Sequence, residues 1–148
     1  LLAHGKAVPV IRENVTNANV GMVLDFSPQY AASASDADLD LMRHEDGVFN
    51  RWYVEPIAGL GYPKDIVEDF QTSMEFVQEN DMEVISQPID FLGINFYSRS
   101  VQGKNEDPNN YPKTIDGLVM CYTMAIPFFQ NTLLTRNLHI FSTFSFYS

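Results

Sequence analysis

Two residues at the end of an apolar run carry groups that can do chemistry. In the stretch QPIDFLGINFYSRS, Asn95 and Tyr97 stand two apart, and side chains two apart on a strand share one face. An amide and a phenol would then point together past the strand end, where both can hydrogen-bond a polar ligand at an active-site rim. Many strands without a site end the same way. A second apolar run, Val20 to Leu24, leads into a carboxylate, Asp25, and then a Ser-Pro turn.

The elements that must position these groups follow from the pattern around them. LLAHGKAVPVIREN is helical in pattern from its first residue with no Ser, Thr, Asp or Asn ahead of it, so the chain is expected to start inside a helix. Pro9 would remove a backbone donor and kink that helix. Ser35 is a capping residue with acidic residues in the turn that follows, which predicts a helix start. IAGLGYP reads as loop, Pro63 opens a short helix over KDIVEDF, and MEFVQENDMEVI reads as a further amphipathic turn or two. Two nearly all-apolar strands separated by helices predict an α/β fold with a parallel sheet covered by helices on its outer face.

Composition narrows the functional classes. A chain of 148 residues has enough apolar content for one real core. A formal charge of −10 argues against a nucleic-acid backbone or an anionic membrane surface as partner. No stretch approaches the roughly 18 apolar residues of a membrane span. The one cysteine, Cys121, excludes an internal disulfide framework and suits a reducing, cytoplasmic compartment. Three scattered histidines give no metal-ligand spacing, and nothing in the sequence calls for a cofactor.

LLAHGKAV, GMVLDFSPQY, DGVFNRWYVEPIAGLGYP and ISQPIDFLGINFYSR, in that order, resemble the middle of a glycoside hydrolase family 1 enzyme over Leu1 to about Arg99. The resemblance implies a partial (β/α)8 barrel, the segment around its fifth and sixth strands with their helices. Residues 1–116 would form that central segment and 117–148 a divergent tail. It further implies a fragment of a retaining β-glycosidase of β-glucosidase type, acting on a β-glucoside or β-galactoside. Such enzymes use two glutamates, in T-x-N-E-P and T-E-N-G motifs, with carboxyl groups about 5 to 5.5 Å apart. Neither motif occurs in the 148 residues.

YVEP at Tyr53–Pro56 and QEN at Gln78–Asn80 imitate parts of those motifs. Glu55 matches a different block of the family, and Glu79 follows a helical pattern where a catalytic glutamate needs a strand end. By resemblance, Tyr97 matches the tyrosine that hydrogen-bonds the nucleophilic carboxylate, and Asn95 an asparagine beside the catalytic pair. Asp25 stands where asparagine is the more frequent family residue, Phe96 points away from the barrel interior, and Trp52 anchors helix to barrel.

The tail departs from the family's T-D-M-G-W-E-x-Y-P, since Leu118 and Val119 follow Gly117 and no tryptophan appears. A slipped or degenerate coding end would explain that departure. The chain alone is expected to be inactive and to expose sheet edges that favour self-association. The alternative is a non-catalytic α/β module for carbohydrate binding or assembly.

Overall fold

A computed structural model describes residues 1–71, 73–103 and the backbone of 122–127. The tail expected over 117–148 and its boundary at 116 lie outside the described residues, apart from that last strand.

Helix α1 (Leu2–Asn14) begins at Leu1 without a side-chain cap and runs through Pro9. Its buried positions are Gly5 and Val8. Gly5 is required, because a Cβ there would stand 1.9 Å from the Val84 carbonyl oxygen of helix α5 (Asp81–Ile85). Helix α2 (Asp36–Asp46) starts as the sequence predicts: Ser35 Oγ accepts from the Asp38 N–H at 3.2 Å. Asp36 and Asp38 sit in its first turn and Arg43 in its last, each charge complementing the helix dipole.

A π-turn, Gly47–Arg51, links α2 to α3 (Trp52–Ile57), and Pro63 precedes α4 (Lys64–Asp69). Gly59 and Gly61, in the intervening loop, take φ of 81° and 79°, which glycine adopts at little cost. Of the predicted turns over MEFVQENDMEVI, only α5 is helical, and Glu79 is an exposed turn residue instead of a helical one. The acidic Gln78–Asp81 segment uses Asp81 to accept the Gln78 N–H at 2.8 Å, which closes a turn before the helix begins.

Strands β1 (Gly21–Phe26) and β3 (Phe91–Phe96) pair in parallel with Gly21 opposite Phe91 and Phe26 opposite Phe96. One face of the pair is closed. Leu24, Phe26, Leu92 and Ile94 join Val8, Val54, Ile57, Ile85 and Ile89 in one buried cluster. Burial of each such side chain stabilises by about 1.5–3 kcal/mol before entropy is counted.

The other face pairs large with small. Phe91 lies beside Gly21, where an added Cβ would come within 2.6 Å of the ring, and Val23 lies beside Gly93, where it would come within 2.8 Å. Val23 on this face is 51% exposed.

Strand β5 (Tyr122–Pro127) covers the far edge of β3 and runs antiparallel to it, so the sheet is mixed where an all-parallel one is expected. An antiparallel neighbour satisfies the same backbone edge and needs no crossover helix. Beyond the strand ends, β2 (Gln29–Ala31) and β4 (Ser100–Gln102) form a separate parallel pair. The sequence predicts a turn at Ser27-Pro28 and no strand after it, whereas β2 follows directly.

Candidate functional site

Asp25 and Asn95 are register partners at the C-terminal end of β1 and β3, on the face turned away from the buried cluster. Asp25 is exposed and Asn95 half-buried. Tyr97 stands one residue past β3 and is 44% exposed. The three polar residues that the sequence places at strand ends therefore lie at one end of one strand pair. Phe96 is the register partner of Phe26, which is 2% exposed in the core, and this agrees with a packing role.

The rim continues through β2 and β4. Ser27 Oγ lies 3.2 Å from Ser100 Oγ, the Ser100 N–H donates to the Pro28 carbonyl at 2.9 Å, and Gln102 Nε2 donates to Gln29 Oε1 at 2.7 Å. The Arg99 guanidinium lies 5.5 Å from the Tyr30 ring centroid, a cation–π distance. Behind the rim, Asn50 in the π-turn is 3% exposed. Its Oδ1 accepts from the Ser27 N–H at 3.1 Å, and its Nδ2 donates to the Ser27 carbonyl at 2.9 Å and to Asp46 Oδ1 at 2.7 Å. Sequence reasoning passed over Asn50; the only local signal is its i, i+4 spacing from Asp46.

The carboxylates that imitate catalytic motifs are committed elsewhere. Arg51 forks onto both Asp65 oxygens at 3.2 and 2.6 Å, reaches Asp46 at 3.4 Å and Glu55 at 3.5 Å, and Arg43 also pairs with Asp65. The Arg51 hydrogen bond holds the Asp65 carboxyl below the usual range. Burial pushes the Glu55 carboxyl up against the pull of Arg51. Burial also opposes the Arg51 charge, yet its three carboxylate neighbours hold its pKa above the ordinary value. Glu55 is thus a partner in a helical ion network on α3, not a strand-end acid.

Trp52 packs at 4.8 Å on Tyr62 and 5.6 Å on Phe70, so it anchors α3 to the following loop and to the end of α4.

At the opposite end of the strand pair, Asp90 accepts the Val20 N–H at 2.8 Å and Arg12 Nη2 at 2.9 Å. The Val20 hydrogen bond first, and Arg12 second, lower its pKa. An apolar cavity of about 160 Å³ lies against Leu1, Leu2, Phe76 and Met82, on the helical side. Among the described residues no cluster of His, Cys, Asp and Glu could hold a metal ion, and no helix is long and apolar enough to cross a membrane.

The family model for glycosyl hydrolase family 1 matches residues 1–127. β-Glucosidase A of Acetivibrio thermocellus is 36% identical over 101 residues, which cover 66% of this chain and 22% of that protein. A 1,4-β-D-glucan glucohydrolase of Thermotoga neapolitana is 34% identical over 133 residues, 79% of this chain and 30% of that protein. Among solved structures, a β-glucosidase from Exiguobacterium marinum superposes with a TM-score of 0.66 at 38% identity, over 74% of this chain and 26% of that one. The chain thus spans less than a third of the length of each.

Proposed function

Because the chain belongs to glycosyl hydrolase family 1, we propose that it supplies one sector of a (β/α)8 barrel in a retaining β-glycosidase of β-glucosidase type. In this reading β1 and β3 are the fifth and sixth barrel strands, residues 1–116 form the sector and 117–148 are a divergent tail. The observation that carries it is the two-faced strand pair: one face sealed by α1, α3 and α5, the other open with Asp25 and Asn95 in register at its C-terminal end. The C-terminal ends of barrel strands are where such folds place their chemistry.

Double displacement needs one carboxyl group to protonate the leaving oxygen and a second to attack the anomeric carbon. The 148 residues hold neither glutamate motif, so both glutamates come from outside them and the chain alone does not turn over. The Tyr97 hydroxyl donates to the nucleophilic carboxylate, which favours the charged form the nucleophile needs. Asn95 sits beside the pair and hydrogen-bonds the substrate, a β-glucoside or β-galactoside. By itself the chain associates through the outer edge of β1, which has no neighbouring strand among the described residues.

Hydrolysis of a chromogenic aryl β-glucoside tests this reading with three proteins. The purified chain is expected to show none. A chimaera carrying residues 1–103 in the matching place of the Acetivibrio thermocellus relative is expected to turn over, and Tyr97→Phe in that chimaera to lower kcat roughly a hundredfold, the scale of losing one donor to a reacting charge. Turnover by the chain alone would move the chemistry to its own carboxylates, Asp25 first. An inactive chimaera, or one indifferent to Tyr97→Phe, would leave the non-catalytic carbohydrate-binding or assembly module.

A further inference from the structure

One polar path runs from the helical layer to the open end of the sheet, and Asn50 is its centre. Asp65 holds Arg51, Arg51 reaches Asp46, and Asp46 accepts from Asn50. Asn50 then grips both polar groups of Ser27, and Ser27 meets Ser100 through their hydroxyls. Ser27 lies two residues past Asp25, and Ser100 three residues past Tyr97. The segment that carries Tyr97 is thereby pinned at one side by β3 and at the other by Ser27 and Pro28.

The chemistry of Asn50 suits this place. A primary amide offers two donors and an acceptor, and here the two donors go to Ser27 and Asp46 while the oxygen takes the Ser27 N–H. A carboxylate of the same shape would keep the acceptor and lose both donors. The Trp52 N–H reaches the Gly47 carbonyl, five residues back, so the clamp sits in a locally widened turn, a feature found frequently at functional sites.

We propose that Asn50 is the positioning residue of the rim: by fixing the peptide at Ser27 it sets the two strand ends, with Asp25 on one and Asn95 and Tyr97 on the other, at their working separation. Asn50 acts through Ser27 and touches no substrate. The inference rests on reading that rim as the substrate-facing end, and the clamp itself can be measured without substrate.

The experiment is amide hydrogen exchange and chemical shift on the ¹⁵N-labelled 148-residue chain, as wild type, Asn50→Ala and Asn50→Asp, from pH 4 to 8, with intrinsic exchange rates divided out. Ser27, Tyr97 and Ser100 report the rim, and Leu24 and Leu92 report the sheet behind it. In Asn50→Asp at neutral pH the new carboxylate faces the Ser27 carbonyl and the Asp46 carboxylate with no donor for either. It is driven out of the site and takes its acceptor away from the Ser27 N–H, so protection at Ser27 is expected to fall by about tenfold or more, with shifts at Tyr97 and Ser100 while Leu24 and Leu92 hold. As pH falls and the introduced carboxyl takes a proton, it regains a donor and Ser27 protection returns. That return keeps the test decisive if Asn50→Ala does not fold.

Unchanged Ser27 protection, loss spread evenly to Leu24 and Leu92, or no recovery at low pH would each overturn the proposal. Hydrolysis of an aryl β-glucoside by the chimaera carrying residues 1–103 separates the two readings. An inactive chimaera would remove the glycoside assignment and leave the clamp to stand or fall on its exchange data.

Discussion

At the N-terminal end of β1 and β3, Asp90 accepts the Val20 N–H at 2.8 Å and the Arg12 guanidinium at 2.9 Å. At the C-terminal end, Asn50 accepts the Ser27 N–H at 3.1 Å and donates back to its carbonyl at 2.9 Å. Both clamps hold backbone with a side chain distant in sequence, but from opposite materials. The lower one is ionic and wet, with Arg12 and Asp90 side chains 36% and 42% exposed. The upper one is neutral and buried, with Asn50 3% exposed. Water screens the first and competes for its hydrogen bonds, whereas nothing replaces the second once it is gone. In the reading proposed above, the buried clamp stands at the end that must hold a substrate, and the exposed one at the end that only closes the sheet.

The largest expected difference follows from deleting the buried clamp. Asn50→Ala strips partners from two backbone groups of Ser27 and from Asp46, and is expected to cost about 2 to 3 kcal/mol in urea denaturation. A loss below about 0.5 kcal/mol, the scale of an ordinary surface substitution, would break the contrast between the two ends.

A smaller change probes how far the upper clamp reaches. Ser100→Ala removes the hydroxyl that meets Ser27 and leaves the Ser100 N–H on the Pro28 carbonyl. Its expected cost is about 0.5 to 1 kcal/mol, one neutral hydrogen bond. The double variant with Asn50→Ala should cost less than the sum by about 0.5 kcal/mol, because both contacts act on Ser27. Strict additivity would mean that Ser27 does not couple them.

The upper end was legible in the side chains it presents and not in the clamp that holds them. Alternation puts Asn95 and Tyr97 together past β3, and the apolar runs, Ser35 and Pro63 place β1, β3, α2 and α4 where they are observed. Those signals are local, carried by periodicity and by caps within a few residues. Asn50 gives no such signal. Its partner Ser27 is 23 residues away, and inside a helical pattern an asparagine beside Arg51 reads as a solvated surface residue. The π-turn is equally silent, since it differs from α-helix by one hydrogen-bond step and not by residue type.

Strand β5 was illegible for another reason: a parallel sheet was expected, and the direction of a pairing partner is not written in an apolar run. Asn95 and Tyr97 were found by period-two alternation, but what they face depends on chain that lies far from them in sequence.

The smallest expected effect belongs to Asp90→Asn, and its pH dependence is the sharper reading. An asparagine at 90 can still accept the Val20 N–H, so only the charge opposite Arg12 is lost, and at this exposure the shift in urea midpoint should be slight and shrink further in high salt. The folded protein holds the Asp90 carboxyl below its ordinary pKa. The stabilisation this charge gives is therefore fully present above the unfolded value, about 3.9, and is lost as pH falls through the lower folded value. Wild type and Asp90→Asn should thus differ at pH 6 and converge on acidification below about pH 4. The gap between wild type and Asn50→Ala should persist over the same range, because Asn50 carries no proton to titrate. If the Asp90 gap instead stays constant as the acid range is crossed, its hydrogen bond to Val20 and not its charge closes the lower end, and the two clamps are one kind of device after all.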